Sequence, residues 1–286
     1  MEVVFLNRLT ARWWFRIIIF LPFLMLFNYI QKFIPVPAEL SLLLFALILT
    51  LAIEYSRVFS SLKLCGLIFN KRFLPDVTFG MLLPLAGFTL FLVLGLMSGN
   101  LHSATFPGFY VLLQYSTLIF IMAITEELIF TGVMFQAMLS RFSALTSVLV
   151  FSLFFGASHL FNTGINAFSF TNILLANVLL SLMYLRTRSL WMPISFHFFW
   201  NWGQAVILGS SVSGFHYGIS LLKINTLNSS FLFGGQFGIE GGIITTLLLI
   251  AFIPVVLKFA KIDPFLPAMH LKRDYYESLV LEKNLL

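Results

Sequence analysis

Eight apolar stretches, at roughly 14–34, 38–55, 78–98, 108–138, 143–161, 166–185, 190–210 and 240–260, succeed one another with short polar breaks. Each approaches the ~20 residues that a helix needs to cross a hydrocarbon core of ~30 Å. Charged residues are 10% of the 286-residue chain, against roughly 25% in an ordinary soluble domain. The pattern predicts an all-α, polytopic integral membrane protein of about eight transmembrane helices.

One membrane domain is expected. Residues 1–107 should supply N-terminal membrane helices, and within them segment 56–77 is too charged to span, so it should lie along the cytoplasmic surface. Residues 108–260 form the expected core. Residues 261–286, polar and containing Pro264 and Pro267, read as a short solvated tail. The first stretch is too long for a secretory signal, and no small-residue cleavage site follows Pro35-Val36-Pro37, so it should persist as a helix.

Basic residues sit at alternate connections: Arg8 and Arg12, then Arg57, Lys63, Lys71 and Arg72, then Arg141, then Arg186 and Arg188. The intervening connections, around Pro35 to Pro37, Gly99 to Pro107 and Asn162 to Gly164, carry no Lys or Arg. By the positive-inside rule both termini should be cytoplasmic and the long 211–239 connection outside. The basic excess therefore anchors and orients spans, and no nucleic-acid partner is expected. Cys65 is the single cysteine, which rules out an intramolecular disulfide and any multi-cysteine metal site.

Against this background Glu126 and Glu127 stand out, two adjacent carboxylates inside the apolar run 109–138. An acid at bilayer depth costs ~2.5–3.5 kcal/mol on insertion scales, which makes the pair a functional-site hypothesis. Adjacent helical positions point ~100° apart, so the two are expected to hold different partners. Two later stretches add polar groups at helical spacing. Phe155 and His159 share one face, and His197 and Asn201 share another. A carboxylate, two imidazoles and an amide suit hydrolysis: one group takes a proton from water and returns it to a leaving amine, while others donate to a developing oxyanion.

At these residues the chain resembles the CAAX prenyl protease and bacteriocin-processing family of intramembrane endopeptidases, also called CPBP or Abi. Its motifs are EExxxR, FxxxH and HxxxN, in that order on separate helices. Here they read from Glu126-Glu127 to Thr131, from Phe155 to His159 and from His197 to Asn201, within a resemblance covering roughly 108–250. The glycine-rich run Gly234-Gly235-Gln236-Phe237-Gly238-Ile239-Glu240-Gly241-Gly242 is also similar to segments of bacterial relatives. The resemblance implies glutamate-dependent intramembrane proteolysis in a bacterial plasma membrane. Glu126 and His159 would activate water, and His197 and Asn201 would form the oxyanion site. Glu127, Phe155 and Thr131 would support them. The implied partners are membrane lipid and a membrane-associated peptide or protein substrate, with no cofactor.

One departure is plain: Thr131 stands where the motif has arginine, four residues after Glu127. Glu127 is then expected to be protonated, paired with a residue distant in sequence, or exposed to cavity water. The missing arginine keeps a catalytically weak scaffold, immunity or regulatory protein open as a second reading. A proton-coupled transporter would use the same residues but should show related halves, which the sequence lacks. Two further chemistries could draw on these residue types without further support in the sequence: a Ser158 nucleophile with His197 as base, and zinc held by Glu126, His159 and His197, for which the HExxH pattern is absent. His102, His216 and His270 fall in connections or the tail and are expected at the surface. Glu240 reads as a helix N-terminal charge opposing the macrodipole.

Overall fold

The computed structural model describes residues 13–15, 17–19, 48, 65–67 and 69–260. Nearly all of the first two expected spans, most of segment 56–77 and the tail lie outside the described residues. Helix α1 runs Phe73–Met97, so the last five residues of the expected surface segment belong to a helix long and apolar enough to cross a membrane. Helix α2, Phe109–Glu126, passes without a break into a π-helical segment, Glu127–Phe135, and a final turn, α3, Gln136–Leu139. Then come α4, Ala144–Ala157, α5, Ala167–Thr187, and α6, Trp191–Trp202, which ends in a second π-helical segment, Gly203–Ile207. Helix α7, Ser230–Phe233, is a single turn, and α8, Ile243–Phe259, closes the described chain.

Three of these are long and apolar enough to cross a membrane: Phe73–Met97, the continuous Phe109–Leu139 rod, and Ala167–Thr187. Ala144–Ala157 and Ile243–Phe259 are apolar but shorter. The protein is mostly helical, with one exception to the all-α expectation. Strand β1, Leu101–Ser103, pairs antiparallel with β2, Leu222–Ile224, placing His102 opposite Lys223. The pairing ties the α1–α2 connection to the long α6–α8 connection. The α4–α5 connection joins them, because the Asn162 carboxamide donates to the Ser213 carbonyl at 2.9 Å. These three connections therefore gather at one end of the bundle.

Local chemistry sets the helix ends. Gly108, at φ 92°, turns the chain into α2. Asn166 caps α5 by accepting from the Phe168 and Ser169 backbone N–H groups, and the Ser169 hydroxyl accepts from the Asn166 N–H in return. Such a capping box is worth about 1 kcal/mol. Arg188 in the left-handed region ends the same helix. Antiparallel α4 and α5 are joined inside the apolar layer by Ser152, whose hydroxyl donates to Asn177 Oδ1 at 3.1 Å.

Close approach of α1 and α6 fixes the helix that carries His197 and Asn201. The Ser195 hydroxyl donates to the Val77 carbonyl at 2.7 Å, and Gly80 lies against the α6 backbone. A Cβ on Gly80 would stand 2.5 Å from the Met192 carbonyl oxygen, which cannot move without moving α6. Gly80→Ala is expected to destabilise the protein by about 1–3 kcal/mol, read as a lower Tm in detergent.

Candidate active site

Glu126 is the last residue of α2 and Glu127 the first of the π-helical segment. The i→i+5 pattern that begins there changes the angular spacing of the side chains, and such segments recur at functional sites. The expectation that the two acids take different partners is not met. Both reach one imidazole: Glu127 Oε1 lies 2.9 Å from His197 Nδ1, and Glu126 Oε2 lies 3.7 Å from His197 Nε2. The ring is bracketed by carboxylates.

Glu127 is 3% exposed and has a second partner, the Thr131 hydroxyl, which donates to Oε2 at 2.8 Å. Of the three fates expected for Glu127, the structure has the distant pairing, with His197 seventy residues away. Thr131 keeps part of the motif arginine's office by supplying a neutral donor at the same position. Thr131→Val removes that donor at nearly constant volume. The expected cost is about 1–3 kcal/mol, measured as a fall in Tm that Thr131→Ser does not reproduce.

His159 lies just past the end of α4, which stops at Ala157. Its Nδ1 is 2.9 Å from the Phe155 carbonyl oxygen. A carbonyl only accepts, so Nδ1 carries the hydrogen in the neutral ring and Nε2 keeps the lone pair. Nε2 has no partner among the described residues. The Phe155 ring stacks at a tilt against the imidazole with centroids 4.8 Å apart, and it also packs edge-on against Phe130 at 5.2 Å. The FxxxH pair thus has a local reason: Phe155 orients His159 with both its carbonyl and its ring.

Glu126, His159, His197 and Asn201 line one cavity of about 130 Å³, room for several water molecules. The Asn201 carboxamide makes no hydrogen bond among the described residues and lines that space. Straight 20-residue spans would set these groups at different depths. Short helices remove the mismatch: α4 has 14 residues, a rise of about 21 Å, and α6 has 12 before its π-helical segment.

Other sequence expectations fare differently. The Ser158 hydroxyl lies 2.7 Å from the Phe155 carbonyl, and both His197 nitrogens face carboxylates, so Ser158 and His197 are not a nucleophile–base pair. Among the described residues no three His, Cys, Asp or Glu side chains form a metal-ligand group.

One lining residue was misread. Glu240 is not a free helix-terminal charge: its carboxylate accepts from Trp200, Gln204 and Ser213 and borders the same cavity. The available signal was the continuation of the HxxxN face, since Trp200 and Gln204 follow His197 by three and seven residues.

Fold and site together define a helical membrane protein with an acid–imidazole cavity between its helices. Residues 107–203 match the family model described as type II CAAX prenyl endopeptidase Rce1-like. The match includes every motif residue from Glu126 to Asn201 and ends before Glu240. No curated protein and no solved structure matches the chain.

Proposed function

We propose that this protein is an intramembrane endopeptidase that hydrolyses a peptide bond of a membrane-associated peptide or protein. The observation that carries the reading is the shared cavity of Glu126, His159, His197 and Asn201. Water adds to the scissile carbonyl carbon as Glu126 takes its proton, with His159 Nε2 accepting the water's second hydrogen and fixing its direction. The carbonyl π electrons move to oxygen, and the oxyanion is met by Asn201 and by Nε2–H of a doubly protonated His197. Glu127 is the counter-ion that such a ring requires. Collapse of the intermediate breaks the C–N bond, and Glu126 returns the proton to the leaving amine.

Glu126 is the water-activating member of the pair and Glu127 the supporting one. The Glu126 side chain is 31% exposed, within reach of cavity water, whereas both Glu127 oxygens are engaged. The eight-span topology and cytoplasmic termini belong to the same proposal. The matched family description is of a CAAX prenyl endopeptidase; here the substrate class is a peptide bond held at the membrane.

The rival reading, an inactive scaffold, draws on Thr131. Its force is reduced because the Thr131 hydroxyl still serves Glu127. Comparative membrane proteomics on cells carrying the native protein, Glu126→Gln or His159→Ala separates the two. The peptidase reading predicts peptides or truncated proteins that vanish in both variants at equal abundance. Unchanged profiles with a retained biological effect would favour the scaffold.

A further inference from the structure

The Glu240 carboxylate accepts four hydrogen bonds. Oε1 accepts from the Trp200 indole N–H at 3.1 Å and from the Gln204 carboxamide at 2.9 Å. Oε2 accepts from the Ser213 backbone N–H at 2.8 Å and from its hydroxyl at 2.9 Å. The donors come from α6, from the π-helical segment after it, and from the turn bridged by Val212 and Phe215. All are neutral. With both oxygens filled, this carboxylate is arranged to hold its neighbours rather than to activate water.

Its neighbours include the helix face that bears the proposed oxyanion groups. Residues 197, 200, 201 and 204 follow the i, i+3, i+4, i+7 pattern of one side of a helix. One end of that face is held by Glu126 and Glu127 through His197. The other end is held by Glu240 through Trp200 and Gln204, and Asn201 lies between the two anchors. Three features show that the anchor is built in. Ser213 sits at φ 47°, a left-handed conformation unfavourable for serine, where it presents both its N–H and its hydroxyl to Glu240. The Glu240 backbone is clamped in turn, because the Asn172 carboxamide donates to the Glu240 and Gly242 carbonyls at 2.6 and 2.9 Å. Gly238, at φ 96°, passes so close to the Ser211 carbonyl that no Cβ fits.

We propose that Glu240 is a positioning residue for peptide-bond hydrolysis, fixing the Trp200–Gln204 end of α6 and thereby the placement of Asn201 opposite Glu126 and His159. The proposal rests on the peptidase reading of the cavity. A misplacement of about 1 Å at a reacting group can cost on the order of a hundredfold in rate.

The test uses cell membranes carrying the full chain and reads the peptides that disappear in Glu126→Gln, normalised to folded protein. Glu240→Gln keeps the volume but sets an amide N–H against donors, and it is expected to lower product per folded molecule about tenfold or more. Glu240→Asp, which keeps two acceptor oxygens, should recover part of that loss. Trp200→Phe keeps an aromatic ring but loses the N–H and part of the indole volume while leaving the other three donors in place, so it should lower product less, and Trp200→Phe with Glu240→Gln should be no worse than Glu240→Gln alone. A merely structural role would lower the amount of protein and leave product per folded molecule unchanged. If Glu126→Gln removes products and Glu240→Gln does not, the positioning role is wrong and the peptidase reading stands. If Glu126→Gln itself changes nothing, the peptidase reading fails and this inference with it. Should Glu240→Gln accumulate poorly, native-level product from Trp200→Phe overturns the proposal and a reduced level supports it.

Discussion

Glu126→Gln is expected to lower peptide-bond hydrolysis by about 10²–10⁴-fold while the protein accumulates normally. The substitution keeps the side chain's length and volume. It replaces the atom pair that can take up a proton with an amide that cannot. Glu126 is only at ion-pair distance from His197, 3.7 Å, and is partly open to the cavity, so folding depends little on its charge. The contrast with Glu127 gives the prediction its resolution. Glu127 is buried and doubly hydrogen-bonded, so its removal should reduce both abundance and activity. Rates of product formation per folded molecule in Glu126→Ala and Glu127→Ala membranes check this. Equal per-molecule losses at normal abundance would remove the division of labour between the two acids.

His197→Ala is expected to damage fold and chemistry together. The imidazole is the shared partner of both carboxylates, and without it Glu127 keeps only the Thr131 hydroxyl among the described residues. Leaving a buried charge without its partner costs about 3–5 kcal/mol, enough to lower Tm sharply or to prevent accumulation. Removing the stranded acid as well should reverse the stability loss. His197→Ala with Glu127→Ala is therefore expected to regain abundance without regaining activity, since the Nε2–H donor is still missing. Thermal unfolding in detergent and product formation, measured on the same preparations, distinguish the two effects. A double variant as unstable as His197→Ala alone would mean that the Glu127–His197 pair does not carry that stability.

The helical membrane character was legible because apolar length is a property of contiguous sequence. The stretches near 78–98, 108–138 and 166–185 correspond to Phe73–Met97, Phe109–Leu139 and Ala167–Thr187. The π-helical segments were not legible. They lie in largely apolar runs with few polar positions, where nothing in the periodicity separates an i→i+5 from an i→i+4 pattern. For the same reason the sequence separated Glu126 from Glu127 by an α-helical angle, while the chain turns both acids to one ring. Local pairs were readable, as in the Phe155 carbonyl that orients His159 four residues on. Long-range pairs were not, as in Glu127 with His197 and Glu240 with Trp200. Glu240 was obscured for a further reason: an acid before an apolar helix has a sufficient local explanation in the macrodipole. Beside the continuation of the HxxxN face, its surrounding glycines were a signal, since they stand where the backbone approaches other segments closely.

The most direct measurement is solvent-oxygen labelling of Glu126-dependent products. Membranes containing the native protein are incubated in water enriched in heavy oxygen, and the newly formed peptides are sequenced by mass spectrometry. Hydrolysis by a Glu126-activated water predicts one heavy oxygen in the new C-terminal carboxyl group of each product, and no such labelled products from Glu126→Gln membranes. Identical peptide profiles from the two proteins, or labelled products that persist when Glu126 is replaced, would contradict it.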